Sequence, residues 1–203
     1  METIKGVDRE LIASLRERGV LVPVEGHRLD LGRGVIMVTC PDCDQRADLF
    51  NHQEAVFREQ GLDPRIHALG LNGGALLVAE ESPLNDELGE DRVLIAHMKG
   101  ARQLKGINTV ALYSHIPCGA AGLANLSSEE VVDFLVLGKR RVRAEIPEAK
   151  VACFLHVDKG EGNKRTYFVS YEAWRTWHDE RKPNYPAIGR RRPAPAPVSS
   201  PAP

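Results

Sequence analysis

The sequence predicts an α/β fold, a single domain with a central, mostly parallel β-sheet flanked by helices. Apolar, largely β-branched runs at 34–40, 66–71, 109–115 and 151–157 read as strands buried on both faces, as in parallel sheets. Stretches with apolar residues at helical spacing separate them. Glycines and capping residues stand at the joins.

Leu11, Ile12 and Leu15 follow Asp8, a candidate N-cap, and the stripe stops at Gly19, so a short amphipathic helix opens the chain. The run Gly34 to Cys40 is the first buried strand. Asn51 with Glu54 predicts a capped helix through Val56 and Phe57, ended by Gly61. The strand Ile66 to Leu71 runs into an Asn72, Gly73, Gly74 turn that needs positive φ or a close backbone approach. A polar loop around Pro83 to Glu90 precedes a helical stripe of Leu94, Ile95, Met98, Ala101 and Leu104, stopped by Gly106. The strand from Thr109 then carries His115 to the end of the sheet.

Ser127 and Glu130 form a capping box, and Leu126 with Val131 a hydrophobic staple, so a helix starts there and ends in a cationic KRRVR turn that opposes its dipole. The strand VACFLHV and the segment TYFVS read as a hairpin at the sheet edge, and YEAWRTWHDER as a last helix. The expected organisation is a helical arm over 1–33, a metal-binding domain over 34–181 and a disordered Pro/Ala/Arg tail over 182–203, containing RRRPAPAP.

Composition narrows the function. The hydrophobic share of 42% and charged share of 27% are those of a globular chain. With 27 Lys and Arg against 28 Asp and Glu, no overall field exists for a phosphate backbone, so no nucleic-acid partner is expected. No run approaches the ~20 apolar residues that span a bilayer, which predicts a cytoplasmic protein with no membrane partner. The four cysteines, two as Cys40 and Cys43 and one as Cys118 near His115, read as thiolates kept for metal or redox work and not as a disulfide framework. Cys153, inside an apolar strand, reads as a buried small hydrophobe, and His67, His97 and His156 read as packing histidines.

Cys40 and His115 both lie at carboxyl ends of predicted parallel strands, where open α/β sheets collect their ligands. CPDC and SHIPCG can therefore converge on one Zn2+ through Cys40, His115 and Cys118. Zinc takes four ligands, and the spacing leaves the fourth to water, Asp42 or Cys43. Water there would be acidified to a pKa near ~7 for attack on a substrate, whereas Asp42 would close the site and Cys43 would complete a structural Cys3His set.

VIMVTCPD, ALGLNGGALL, INTVALYSHIPCGAAG, VACFLHVDKGEG and TYFVS, in this order over residues 35–170, resemble the β-class carbonic anhydrases. In that family a strand ends in CxDxR, a Gly-containing turn follows, and a later strand ends in GHxxCG. The resemblance implies Cys40, His115 and Cys118 as zinc ligands, Asp42 as the carboxylate of an Asp/Arg dyad that frees the fourth position, and dimers built on an amino-terminal helix. It implies zinc hydroxide attacking CO2, or a heterocumulene such as COS or CS2, in a pocket near Leu71, Ala75 and Leu76. The chain departs at the dyad: Asp44 stands where the family has Arg, and Arg46 is the nearest replacement. Leu11 and Leu15 are expected as the exposed stripe of a homodimer arm. Two other readings stand: a non-catalytic zinc protein with a closed site, and a CxxC redox protein using Cys40 and Cys43. The polar DQRAD after Cys43, a poor helix start, speaks against the redox reading.

Overall fold

The first buried run becomes strand β2 (Val35–Thr39), all five residues of which are buried, and it lies in the interior of a six-stranded sheet. The structure is a computed structural model that describes residues 4–85 and 88–181; the expected tail over 182–203 lies outside them. Helix α1 (Gly6–Glu17) leads into the short strand β1 (Leu21–Val22), and after β2 come helix α2 (Arg46–Glu59) and strand β3 (Ile66–Gly70). A 3-10 turn (Gly74–Val78), helix α3 (Glu90–Lys105), strand β4 (Thr109–Ile116), and helices α4 (Gly119–Leu123) and α5 (Ser128–Glu145) follow. Strands β5 (Lys150–Asp158) and β6 (Lys164–Val169) and helix α6 (Tyr171–Arg181) complete the fold.

The sheet order is β1-β6-β5-β4-β2-β3. The four strands β3, β2, β4 and β5 are mutually parallel, and the β5–β6 hairpin and β1 add an antiparallel margin. Each parallel step is bridged by a helical crossover, which places every carboxyl strand end on one rim. One face of the sheet packs Ile36, Val38, Val110 and Leu112 against α1, α3, α5 and α6; the other packs Val35, Met37, Ala111 and Tyr113 against α2. Period-two alternation on two covered faces is the reason these strands are apolar throughout.

Local signals predict several boundaries. The Ser127 hydroxyl accepts the Glu130 N–H at 3.2 Å and the Glu130 carboxylate accepts the Ser127 N–H at 2.8 Å, the expected capping box. Gly19, Gly61 and Gly106 end their helices with φ between 66° and 70°.

Four expectations are corrected. Lys5 rather than Asp8 caps α1, and Asp8 sits in its first turn. Leu15 is fully buried and Leu11 half-buried against the chain's own core, because Leu21 and Val22 pair with β6 and draw α1 onto the sheet; the stripe is not exposed. Helix α2 begins at Arg46, inside DQRAD, so Asn51 is an interior residue and not a cap. Leu104 and His97 face solvent, since the buried face of α3 is Asp91, Leu94, Ile95, Met98 and Ala101.

Candidate metal centre

Strands β2 and β4 are parallel neighbours with Val38 paired to Leu112, so Cys40, just past β2, arrives level with the end of β4. His115 is the penultimate residue of β4, and Cys118 stands at the start of α4 after a cis Ile116–Pro117 bond. The two Sγ atoms and a ring nitrogen of His115 all lie within 4.8 Å of one another. All three residues are buried, with 6%, 1% and 8% exposure for Cys40, His115 and Cys118. Two distant segments of sequence thus form a single group able to hold a metal ion.

Hydrogen bonding prepares each donor. The Nδ1 of His115 lies 2.7 Å from the Pro117 carbonyl oxygen, which can only accept, so Nδ1 carries the proton and Nε2 presents a bare lone pair. That Nε2 is buried and has no hydrogen-bond partner among the described residues, a state that usually costs about 1 to 3 kcal/mol and that a bound cation would relieve. The Cys40 thiol is lowered to about 4 chiefly by its hydrogen bond with Cys118, and the backbone N–H groups of Gly73 and Asp42 act in the same direction, against the opposing effect of burial. Cys118 is raised correspondingly by its bond to Cys40 and by burial, while the N–H groups of Ala121 and Ala120 favour its thiolate. The metal-free pair therefore holds one proton between two sulfurs, and a divalent cation would displace it.

The turn after β3 is shaped around the same sulfur. Gly73 has φ 92° and Gly74 φ 53°, and a Cβ on Gly74 would stand 2.5 Å from the carbonyl carbon of Thr39. Only glycine lets this turn lie against the Cys40 backbone and aim the Gly73 N–H at the thiolate. Around Gly73 stand Leu84, Leu77 and Ala120. Ala75 and Leu76, expected to line a pocket, are fully buried in the core and line no open space.

No family model, no curated protein and no solved structure matches this chain. Its chemistry is therefore read from its own residues.

Of the expected fourth ligands, neither Asp42 nor Cys43 belongs to the three-residue group. The Asp42 carboxylate accepts the Asp44 N–H at 2.9 Å, and Cys43 is exposed, its sulfur 4.0 Å from the Asp44 carboxylate. Asp42, Cys43 and Asp44 form a separate, outward cluster. The Arg46 backbone N–H donates to the Asp42 carbonyl at 2.9 Å, but its guanidinium turns away and lies over the Phe50 ring, 5.5 Å from the centroid, one turn along α2. Among the described residues the Cys40, His115 and Cys118 group thus has three protein donors and no fourth.

The sequence reading missed a buried polar network behind His115, beneath α2. His156 is level with His115 on β5 and 3% exposed; its Nδ1 lies 2.9 Å from the Thr166 hydroxyl, and its Nε2 has no partner. Burial lowers its pKa to about 4, as it does for His52, so both rings are neutral at pH 7. The Tyr113 hydroxyl donates to Gln53 at 3.0 Å and must then accept from His52 Nδ1 at 2.8 Å. Gln45 donates to Asp158 at 3.0 Å, and Lys164 bridges Asp48 and Asp158 at 2.7 and 3.5 Å, tying the start of α2 to β5 and β6. The available signal was alternation: Tyr113 with His115, and His156 with Asp158, place polar groups on one face of otherwise apolar strands.

Proposed function

We propose that this protein is a zinc-dependent lyase resembling the β-class carbonic anhydrases, acting on CO2 or a CO2-like heterocumulene such as COS or CS2. The observation that carries the reading is the three-donor set: two sulfurs and the unpartnered His115 Nε2 converge, with no fourth His, Cys, Asp or Glu among the described residues in the group. Closed structural zinc sites use four protein ligands, whereas catalytic sites keep one position for solvent. A zinc ion bound there would supply a water molecule ionised near neutral pH to a small electrophile.

The chain's own groups do the remaining work. His115 is fixed in the metal-binding tautomer by the Pro117 carbonyl. Four backbone N–H groups, from Gly73, Asp42, Ala120 and Ala121, disperse the charge of the two thiolates. Such outer-shell donors orient ligands and adjust the basicity of what the metal binds.

A closed, non-catalytic site is disfavoured by the engagement of Asp42 with the Asp44 N–H. The redox reading regains one feature, since α2 starts three residues after Cys43, at Arg46, but Cys40 has Cys118 and His115 as its sulfur and ring neighbours, not Cys43. A homodimer remains part of the proposal, on a surface other than the Leu11 and Leu15 stripe, and light scattering checks it. The deciding experiment pairs metal analysis with stopped-flow CO2 hydration at pH 7 and above pH 8. One zinc per chain with hydration activity supports the reading. Zinc without turnover of CO2, COS or CS2 removes the enzymatic part, and an absence of transition metal removes the whole.

A further inference from the structure

We infer that Cys40 and Cys118 are a redox pair as well as metal ligands: a peroxide joins them in a disulfide that expels the metal, and a dithiol restores the site. The consequence for zinc rests on the metal-centre reading above, whereas the pairing of the two cysteines rests on their geometry alone. Their sulfurs belong to one buried group whose donor atoms lie within 4.8 Å of one another. A disulfide holds its sulfurs about 2.05 Å apart, so closing the pair takes an approach of at most about 3 Å. Cys40 stands just past the end of β2 and Cys118 just past the end of β4, so either sulfur can turn toward the other without breaking a strand pairing.

The sequence points to another pairing, because Cys40 and Cys43 form a CxxC. Cys43, however, is exposed, lies outside the three-residue group and has its sulfur 4.0 Å from the Asp44 carboxylate. Cys153 is fully buried with its sulfur 3.5 Å from the Leu135 carbonyl oxygen, whereas Cys40 and Cys118 retain some contact with solvent at the sheet rim. With hydrogen peroxide, the thiolate of one of the pair attacks a peroxide oxygen; the O–O bond breaks, a sulfenic acid forms, and hydroxide leaves and takes up a proton. The thiolate of the other attacks the sulfenic sulfur; the S–S bond forms, the S–O bond breaks, and a second hydroxide leaves and takes up a proton. The two sulfurs together have lost two electrons, and one peroxide has become two waters. Only His115 then remains of the three donors, too few to hold zinc. A dithiol reverses the step by exchange, becoming a disulfide itself as both cysteines are reduced.

The test takes the full chain, zinc-loaded and chelator-stripped, through hydrogen peroxide, alkylation after unfolding and tryptic digestion without reduction. Cys40 and Cys43 share the tryptic peptide 34–46, and Cys118 lies on 106–139, so Cys43→Ser, a change at an exposed site, makes the assignment unambiguous. Wild type and Cys43→Ser are both expected to give a cross-link of these two peptides, two hydrogens lighter than their sum, with Cys153 alkylated. In the zinc-loaded protein the cross-link should form more slowly, because the metal engages both sulfurs, and each bond should release one zinc, read with a chromophoric chelator. Dithiothreitol should return both thiols and the capacity for zinc. Loss of the cross-link in Cys43→Ser, a bond within peptide 34–46, oxidation to sulfinic acid without a cross-link, or a cross-link that leaves zinc bound would each overturn the inference while leaving the metal centre standing. A protein that forms the cross-link but binds no zinc before oxidation or after reduction overturns the metal-centre reading, and the switch with it.

Discussion

Gly74→Ala tests the architecture of the metal loop most directly. The new methyl would lie 2.5 Å from the Thr39 carbonyl carbon and closer still to the Cys40 amide nitrogen, against an ordinary carbon contact of about 3.5 Å. Something must therefore move by about 1 Å, and both obstacles are backbone at the end of a fully buried strand. The positive φ of 53° adds the penalty of a left-handed residue with a Cβ, about 1 kcal/mol, to overpacking of about 1 to 3 kcal/mol. A total near 2 to 4 kcal/mol corresponds to a fall in Tm of roughly 4 to 16 °C for a chain of this size. Because the moving groups include Cys40 and the Gly73 N–H aimed at its sulfur, zinc affinity should fall with stability. Urea unfolding of the metal-free protein and a competitive zinc titration separate the two effects. A Gly74→Ala protein within about 0.5 kcal/mol of wild type, the range of ordinary surface changes, would refute the close approach and with it the account of why this turn holds the thiolate.

Gly100→Ala is the contrasting case, since a Cβ at this position in α3 meets nothing within 4 Å; it should raise stability by up to about 1 kcal/mol, measured by the same urea titration. Cys118→Ser and His115→Ala should each weaken zinc binding by more than the roughly 10- to 100-fold typical of losing an outer-shell partner, read by a chromophoric chelator competition. Acid should destabilise the fold in a defined window. Buried His156 has a pKa near 4 against about 6.5 for a solvated imidazole, so the unfolded chain takes up the proton first as pH falls. Stability is then full above about 6.5 and declines toward about 4, by roughly 3 kcal/mol over the window. His52 adds in the same direction. Urea midpoints at pH 7.5 and 5 check it, and His156→Leu should flatten the dependence.

The sequence by itself determined the features whose physics is local. Two-face burial writes continuous apolar runs into β2 and β4, the Ser127 and Glu130 box marks the start of α5, and Gly61 and Gly106 mark helix ends because a left-handed residue is needed there. The convergence of Cys40, His115 and Cys118 into one group able to hold a metal ion was also legible, since strand ends in a parallel sheet share a rim. Tertiary structure decided the rest. The start of α2 has no side-chain cap; it is fixed by Gln45 reaching Asp158, 113 residues away, and by Lys164 reaching Asp48, so nothing nearby in sequence announces it. Whether the stripe of α1 faced solvent or core depended on β1 pairing with β6. Which way the Asp42 carboxylate turned, toward the Asp44 N–H, is a choice among rotamers that composition and spacing do not encode.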